Sequence, residues 1–399
     1  MKCSGIELTN FRNIEDEKIS FSDGINVLWG KNAQGKSNAL EAVYYFARGR
    51  SFRGAKDRDL IKFGADFARI RSVCRRDGAE YATELEALIP SDEKIKKKVF
   101  RNGAALSGIG EAIGDFRAVL FCPAHLSLVS GPPNGRRAFL DIAISQLSKE
   151  YMSGLANYKR LLLQRNASLK SEAKGETVPY ELWEIFAEQM SHFASVISSY
   201  RYEYMSMLSE RMNSLFREMS GGAERPSLSY TSHSIRKTGE NANVISEEGD
   251  EERGEIEADA LDGFGKVRIS PDCLREKLTS DIDREVKYGA TLWGPHKDDI
   301  TIRLNGKEAK HFASQGQMRS LALTMKLSEG ELSHSIGGEK PVILLDDVLS
   351  ELDEDRRAFV LGSLGDRQII VTSCEPSLFD SVGKDVNLLH VEAGKISRM

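Results

Sequence analysis

Through the first 145 residues, apolar and polar positions alternate or cluster in short runs, a β-rich pattern with short helices. Gly24-Ile25-Asn26-Val27-Leu28-Trp29 is a strand-like run, and Ser37 to Phe46 follows with Leu40, Val43 and Tyr44 at helical spacing. Val99-Phe100-Arg101, then Asn102-Gly103, then a second apolar stretch predict a hairpin, because Asn-Gly supplies the positive φ angles of a two-residue turn. From about Gln146 the period lengthens. Trp183, Phe186, Met190, Phe193, Ile197, Tyr200, Tyr204, Met207, Leu208 and Leu215 fall mostly three or four apart, one face of a long helix. Such a helix from Pro179 to Met219 would run roughly 60 Å. Gly175 to Pro179 separates it from an earlier helix carrying Leu155, Tyr158, Leu162 and Leu169, and the two predict a helical arm. Strand-like patterning returns at Tyr288 to Trp293. A second Asn-Gly turn follows at Asn305-Gly306, then a helix from about Gly316 to Leu332, then the buried strands Val342–Leu345 and Gln368–Thr372.

Charge refines the division of the chain. From Glu247 to Asp262 nine acids face one base, Arg253, a local charge of −8. Against −5 for the whole chain, this leaves +3 for the remainder, a balance compatible with a nucleic-acid partner. The expected organisation is an N-terminal half-head over 1–145, the helical arm over 146–231, an acidic disordered insert over 232–265, and a C-terminal half-head over 266–399. The N-terminus has no apolar stretch of secretory type, and no apolar run approaches membrane-helix length. Five scattered cysteines read as reduced thiols, so a cytoplasmic protein without a membrane role is expected.

Two motifs carry chemistry. Gly30-Lys31-Asn32-Ala33-Gln34-Gly35-Lys36-Ser37 fits G-x-x-x-x-G-K-[ST] at every position, with a strand before it and a helix after it. Its glycines let backbone N–H groups wrap phosphate oxygens, Lys36 neutralises the β- and γ-phosphates, and Ser37 offers a hydroxyl to Mg²⁺. The strand Val342 to Leu345 ends in Asp346-Asp347. Asp346 is expected to hold Mg²⁺, and Asp347 to orient or deprotonate an attacking water. More than 300 residues separate Lys36 from Asp346, so a nucleotide head must be assembled from both ends of the chain. Ser314-Gln315-Gly316 opens the helix before the acidic strand. Its hydroxyl, its glycine and the helix N-terminus together suit a γ-phosphate.

Together with Ser350-Glu351-Leu352-Asp353, these motifs resemble an ABC-type head of the SMC group. Asn10-Phe11-Arg12-Asn13 resembles that group's N-terminal element, which implies that Arg12, with Asn13, reaches the nucleotide phosphates. Pro132 to Asp141 and Gly294-Pro295-His296-Lys297-Asp298-Asp299 resemble elements of the RecF family of bacterial gap-repair ATPases. The resemblance runs from about residue 3 to residue 373. Lys297 stands where the family usually has arginine, Met318 where a polar residue is common, and the acidic stretch looks like an insertion.

That resemblance implies an α/β, split ABC/SMC-type head of mixed sheets and flanking helices, with a helical arm. It also implies an ATP-dependent homodimer in which Ser314 of one copy meets the γ-phosphate held by Lys36 of the other. The implied partners are DNA at gaps and single-strand/double-strand junctions, and recombination mediators of the RecO/RecR type that load recombinase. The implied activity is a weak, DNA-stimulated ATPase acting as a switch in a nucleoid-associated protein. The residues alone leave some roles open. Arg48 to Arg53 and Lys94 to Lys98 suit DNA phosphates or a solvated face, Arg136 and Arg137 suit DNA or internal acids, and His296 suits a ligand or a packed loop. A kinase would need a substrate pocket and lid where this chain has its arm. A nuclease-fused ATPase would need an acid-rich domain beyond the head.

Overall fold

The computed structural model describes residues 1–232, 254–257, 264–265, 269–379 and 386–398. The chain divides into two units, one of Met1–His125 with Met325–Met399 and one of Leu126–Thr324.

The first unit is built on two six-stranded sheets. Its central sheet runs in the order Lys395–Arg398, Val386–Glu392, Ile25–Trp29, Ile369–Ser373, Val342–Asp346, Ala118–Phe121, and all but the first of these strands are parallel to their neighbours. The strand from the N-terminal half is thus flanked on both sides by strands from the C-terminal end. Ala118–Phe121 and Val342–Leu345 are continuous apolar runs, and every residue of Ile369–Ser373 is buried, as a sheet covered on both faces requires. The second sheet, an antiparallel meander, runs Ile14–Ser20, Lys2–Phe11, Phe67–Arg75, Thr83–Pro90, Lys98–Arg101, Ala104–Leu106. The helix Lys36–Arg48 touches strands of both sheets, which explains why every residue from Ala39 to Ala47 is buried, Glu41 included. The split α/β head expected from the sequence is the observed fold.

The second unit holds the helices Lys149–Glu172 and Tyr180–Ser220, packed along each other, the second 41 residues long. Gly221 ends the long helix in the left-handed region, at φ 64°. The short helices Asp272–Ser280 and Ile282–Tyr288 lie against this pair. An antiparallel sheet runs Gly254–Glu257, Pro226–Ser232, Asp299–Leu304, Lys307–Glu308. Both Asn-Gly turns form as expected, with φ 51° and 79° at Asn102-Gly103 and 52° and 79° at Asn305-Gly306.

The structure departs from the expected organisation in three places. No strand forms at Tyr288 to Trp293. Tyr288 ends a helix, Gly289 caps it at φ 61°, Ala290 donates back to the carbonyl of Glu285 at 3.2 Å, and the two N–H groups after it are taken by side chains, Thr291 by Asn166 at 2.7 Å and Leu292 by Glu285 at 2.7 Å. The unit boundaries fall at His125/Leu126 and Thr324/Met325, so the helix Pro133–Ser145 and the Asn305-Gly306 hairpin belong with the long helices. Among the described residues, the acidic stretch is held at two segments. Gly254–Glu257 pairs with Ser229–Ser232, and Phe264 packs edge-on against Tyr200 with ring centroids 5.2 Å apart. Residues 233–253 and 258–263 lie outside the described residues, and so does any statement on their order.

Candidate phosphate-binding site

The parallel strands deliver their C-terminal ends to one edge of the central sheet, where the loops Gly30–Gly35, Asp346-Asp347 and Ser373-Cys374 meet. Crevices at this edge are where open α/β sheets bind ligands. A cleft of about 160 Å³ lies there, lined by Asn32 to Asn38, Arg53, Asp347 and Thr372.

The phosphate loop owes its path to residues that tolerate positive φ. Ala33 sits at φ 64° and Gly35 at φ 115°, and a side chain at Gly35 would run into the Asn13 amide, whose Oδ1 lies 2.8 Å from the position a Cβ would take. Lys36 is buried, yet its ammonium donates to the carbonyls of Gly30 at 2.6 Å and Lys31 at 2.9 Å. The cation is therefore fixed at the loop's mouth, and the helix N-terminus beginning at Lys36 adds its partial positive charge. Asn13 joins the site indirectly, donating to the carbonyl of Gln34 at 3.0 Å and accepting from Asn38 at 2.8 Å.

The acidic pair is arranged by Thr372 on the neighbouring strand. The Thr372 hydroxyl donates to Asp346 Oδ1 at 3.0 Å and accepts from the backbone N–H of Asp347 at 2.9 Å. Asp347 adopts φ 53°, an unusual conformation for a residue with a side chain, and Ser350 donates to its carboxylate at 3.1 Å. Asp346, buried at the strand end, and Ser37, in the cleft, supply hard oxygen donors. That set, completed by phosphate oxygens and water, suits Mg²⁺.

Other expected site residues are placed differently. Arg12, at φ 58°, turns its guanidinium to Glu41 and to the carbonyl of Asp59, 2.8 Å away. Ser314 caps the helix Gln315–Gly337 through a reciprocal pair: its N–H donates to Gln317 Oε1 at 2.7 Å, and its hydroxyl accepts from the Gln317 N–H at 3.2 Å. Gly316 lies in the first turn of that helix. Ser314 and Gly316 belong to the second unit, the phosphate loop to the first.

Sequence reasoning missed Asn38, Arg53, Thr372 and Cys374. Arg53, read as part of a basic patch, lines the cleft and donates to Asn38 Oδ1 at 3.0 Å. Cys374 brings its sulfur 3.4 Å from the Lys36 ammonium and 3.0 Å from Asn32 Oδ1. Asn38 directly follows the loop motif in the same helix, whereas Arg53, Thr372 and Cys374 are brought in by other strands and loops that no motif marks. Of the lysine cluster, Lys97 is tied to Asp57 at 2.9 Å and to Tyr45 Oη at 3.1 Å, a structural role.

In the second unit, the arginine-rich and Gly-Pro-His elements form one buried ionic network. Arg136 clasps Asp299 through two bonds of 2.8 Å, and Arg137 donates to the carbonyl of Asp298 at 2.7 Å. Arg201, 2% exposed and unmarked in the sequence, reaches Asp141 at 2.7 Å, Asp298 at 3.4 Å and the carbonyl of Pro295 at 2.8 Å. His296 bridges Tyr158 Oη at 2.8 Å and the carbonyl of Thr291 at 3.0 Å, so it is a packed histidine. Burial pushes the Asp141 carboxyl up. Arg201, Lys159 and the hydrogen bonds of Arg201 and Tyr151 outweigh it and hold the group below the usual carboxylate range.

The chain is similar to known proteins along nearly its whole length. A family model described as the RecF/RecN/SMC N-terminal domain matches residues 2–397. The DNA replication and repair protein RecF of Caldanaerobacter subterraneus subsp. tengcongensis is 35% identical over 381 residues, covering 94% of this chain and 95% of that protein. A solved structure of the recombination mediator protein RecF with ATP, of the RecFOR pathway, is similar with a TM-score of 0.84 at 31% identity, covering 100% of this chain and 97% of the other. The Smc head domain of Pyrococcus furiosus, solved with an extended coiled coil, shares the fold at TM-score 0.53 and 16% identity. With its phosphate loop and acidic pair on parallel strands of a split head, separated by the single strand Ile369–Ser373, and with relatives matched end to end, the chain belongs to the RecF family of DNA replication and repair proteins.

Proposed function

We propose that this protein binds ATP in the cleft beside Lys36 and uses it to switch its association with DNA during repair. The observation that carries the reading is the meeting of two motifs 310 residues apart: Lys36 at the mouth of the phosphate loop, and Asp346-Asp347 one strand beyond the loop's neighbour. The RecF structure solved with ATP supports the choice of nucleotide.

In this reading Lys36 and the loop N–H groups bind the phosphates, while Arg53 is positioned to approach them through Asn38. Asp346 and Ser37 would hold Mg²⁺, which supplies charge neutralisation on the phosphate oxygens. Asp347 lies in the same cleft with its carboxylate steadied by Ser350, where it can hold a water or take its proton. Ser314, at a helix N-terminus, is the residue for the γ-phosphate of a second copy, so ATP favours a homodimer and slow hydrolysis resets it. The DNA is a gapped substrate with a single-strand/double-strand junction, and the partners are recombination mediators of the RecO and RecR type. The family's DNA replication and repair role supports these assignments, as does a net charge of +3 outside the acidic stretch.

Calorimetric titration of Mg-ATP into wild type and Lys36→Ala, with sedimentation and DNA binding on gapped and blunt duplex, tests the reading. Wild type should bind ATP, dimerise with it and prefer the gapped duplex. Lys36→Ala should lose about 100-fold or more in affinity, the scale of a charge-assisted contact of about 3 kcal/mol. Equal ATP affinities in the two proteins would overturn the site. DNA binding indifferent to ATP would overturn the switch.

A further inference from the structure

The inner face of the phosphate loop serves the ligand. Its outer face is gripped by the other end of the chain. The strands Val386–Glu392 and Lys395–Arg398 form a hairpin whose turn residues, Ala393 and Gly394, both have positive φ, 48° and 81°. The N–H of Ala393 donates to Gln34 Oε1 at 2.7 Å, and the N–H of Gly394 donates to the Gln34 carbonyl at 2.9 Å. The same carbonyl accepts from Asn13 at 3.0 Å. Both faces of the contact are close-packed. A Cβ on Gly394 would overlap the carbonyl oxygen of Asn13, and a Cβ on Gly30 would overlap that of Val391 in the hairpin's first strand. Gln34 is thus seized by side chain and backbone together, from a segment more than 350 residues downstream.

We infer that the C-terminal hairpin turn is an outer clamp on the phosphate loop, and that Gln34 is the positioning residue through which it holds the loop ready for a nucleotide. A loop that turns its N–H groups inward needs left-handed residues, here Ala33 and Gly35 on either side of Gln34. Left to itself such a segment samples many conformations, and ordering it would be charged against ligand binding. Two hydrogen bonds from a rigid two-residue turn remove that freedom beforehand. They come from backbone N–H groups, so no side chain in the turn is needed. The sheet fixes their direction, because the hairpin's first strand pairs residue by residue with Ile25–Trp29, the strand that leads into the loop. The inference rests on the nucleotide reading of the cleft for its consequence, though not for its geometry.

Two variants and one control test it in the full-length protein. Gln34→Ala removes the side-chain half of the clamp and leaves the hairpin untouched. Gly394→Val forces the turn away from Asn13 and acts from outside the loop. Lys395→Ala alters an exposed side chain beside the turn and keeps its backbone. Hydrogen exchange of amides 31–37, followed by mass spectrometry without nucleotide, reads the clamp. Titration with Mg-ATP reads its effect, and the melting temperature separates a local from a global change. We expect faster exchange confined to the loop in Gln34→Ala and Gly394→Val. ATP affinity should fall about tenfold, with melting little changed in Gln34→Ala and both readouts at wild-type values in Lys395→Ala. Unchanged loop exchange in Gln34→Ala would overturn the clamp, and faster exchange with unchanged affinity would overturn its positioning role. If wild type bound no ATP, the nucleotide reading would fall, while the exchange experiment would still decide the clamp.

Discussion

Arg12 and Glu41 are joined by two parallel hydrogen bonds, Nε to Oε2 at 3.0 Å and Nη2 to Oε1 at 3.1 Å. The carboxylate comes from the middle of the helix that follows the phosphate loop and has no exposed surface, while the guanidinium keeps 20%. Ser51 donates to the same Oε1, and its hydroxyl accepts from the N–H of Arg53. Glu41 therefore ties the N-terminal Phe-Arg element to the segment carrying Arg53. Glu41→Ala should lower stability by on the order of 3 kcal/mol, because it leaves one partly buried cation and a buried hydroxyl without their acceptor. Glu41→Gln, which keeps the shape and one acceptor oxygen but sets an NH2 donor in place of the other, should lose less. Chemical denaturation of the three proteins at neutral pH checks the order, and equal midpoints would show that the pair contributes nothing.

Asp347→Asn should separate binding from turnover. Asparagine tolerates the left-handed backbone at φ 53° at least as well as aspartate, and Ser350 can still donate to its amide oxygen. ATP affinity and ATP-dependent dimers should persist while hydrolysis slows about 10²- to 10⁴-fold, the range for losing a general base. Wild-type turnover in this variant would move the role of water activation to another residue.

Cys374 should be the thiol that reacts in the folded protein. Burial pushes the thiols of Cys3 and Cys122 up to about 11 and that of Cys74 to about 12, so at pH 8 they remain protonated and inert, and Cys273 is buried as well. Cys374 is exposed beside Lys36. Iodoacetamide should add once, Mg-ATP should slow the addition, and the modified protein should bind ATP more weakly. Peptide mapping with and without nucleotide measures this, and alkylation indifferent to Mg-ATP would place the nucleotide elsewhere.

Acid should weaken the contribution of Asp141. Its carboxyl lies below the usual range in the folded protein, so its contribution to stability is present above the unfolded value of about 3.9 and is lost as pH falls through the folded value. Asp141→Asn should therefore be less stable than wild type at neutral pH, by on the order of 3 kcal/mol, and the gap should close below about pH 4. Thermal melts across that range measure the gap, and a constant difference would mean that Asp141 acts through packing alone.

Neutralising Glu247, Glu248, Asp250, Glu251 and Glu252 to their amides should raise DNA affinity, most at low salt where screening is weak. Substitution is the cleaner test than deletion, because the strand Gly254–Glu257 pairs with Pro226–Ser232 just beyond these acids. DNA titrations at two ionic strengths should show a gain that shrinks as salt rises. The same affinity in parent and variant at both salts would make the acids bystanders to DNA.

Residue pattern is enough for the parts whose chemistry is local. The phosphate loop needs glycines and a lysine at set spacing, the Asn-Gly turns need positive φ, and the long helix Tyr180–Ser220 needs a sustained three-to-four period; each was legible within a few tens of residues. The separation of Lys36 from Asp346 also demanded a split head, since the two must share one phosphate chain. Tertiary structure alone decided what depends on neighbours distant in sequence. It turned Arg12 onto Glu41, brought Arg53 and Cys374 to the cleft, and set Thr372 between the two aspartates. It also made Tyr288 the end of a helix, because side-chain acceptors took the N–H groups that a strand would have paired. A side chain's partner is chosen by whichever strand or loop packs beside it, and local pattern carries no record of that choice until the sheet order is known.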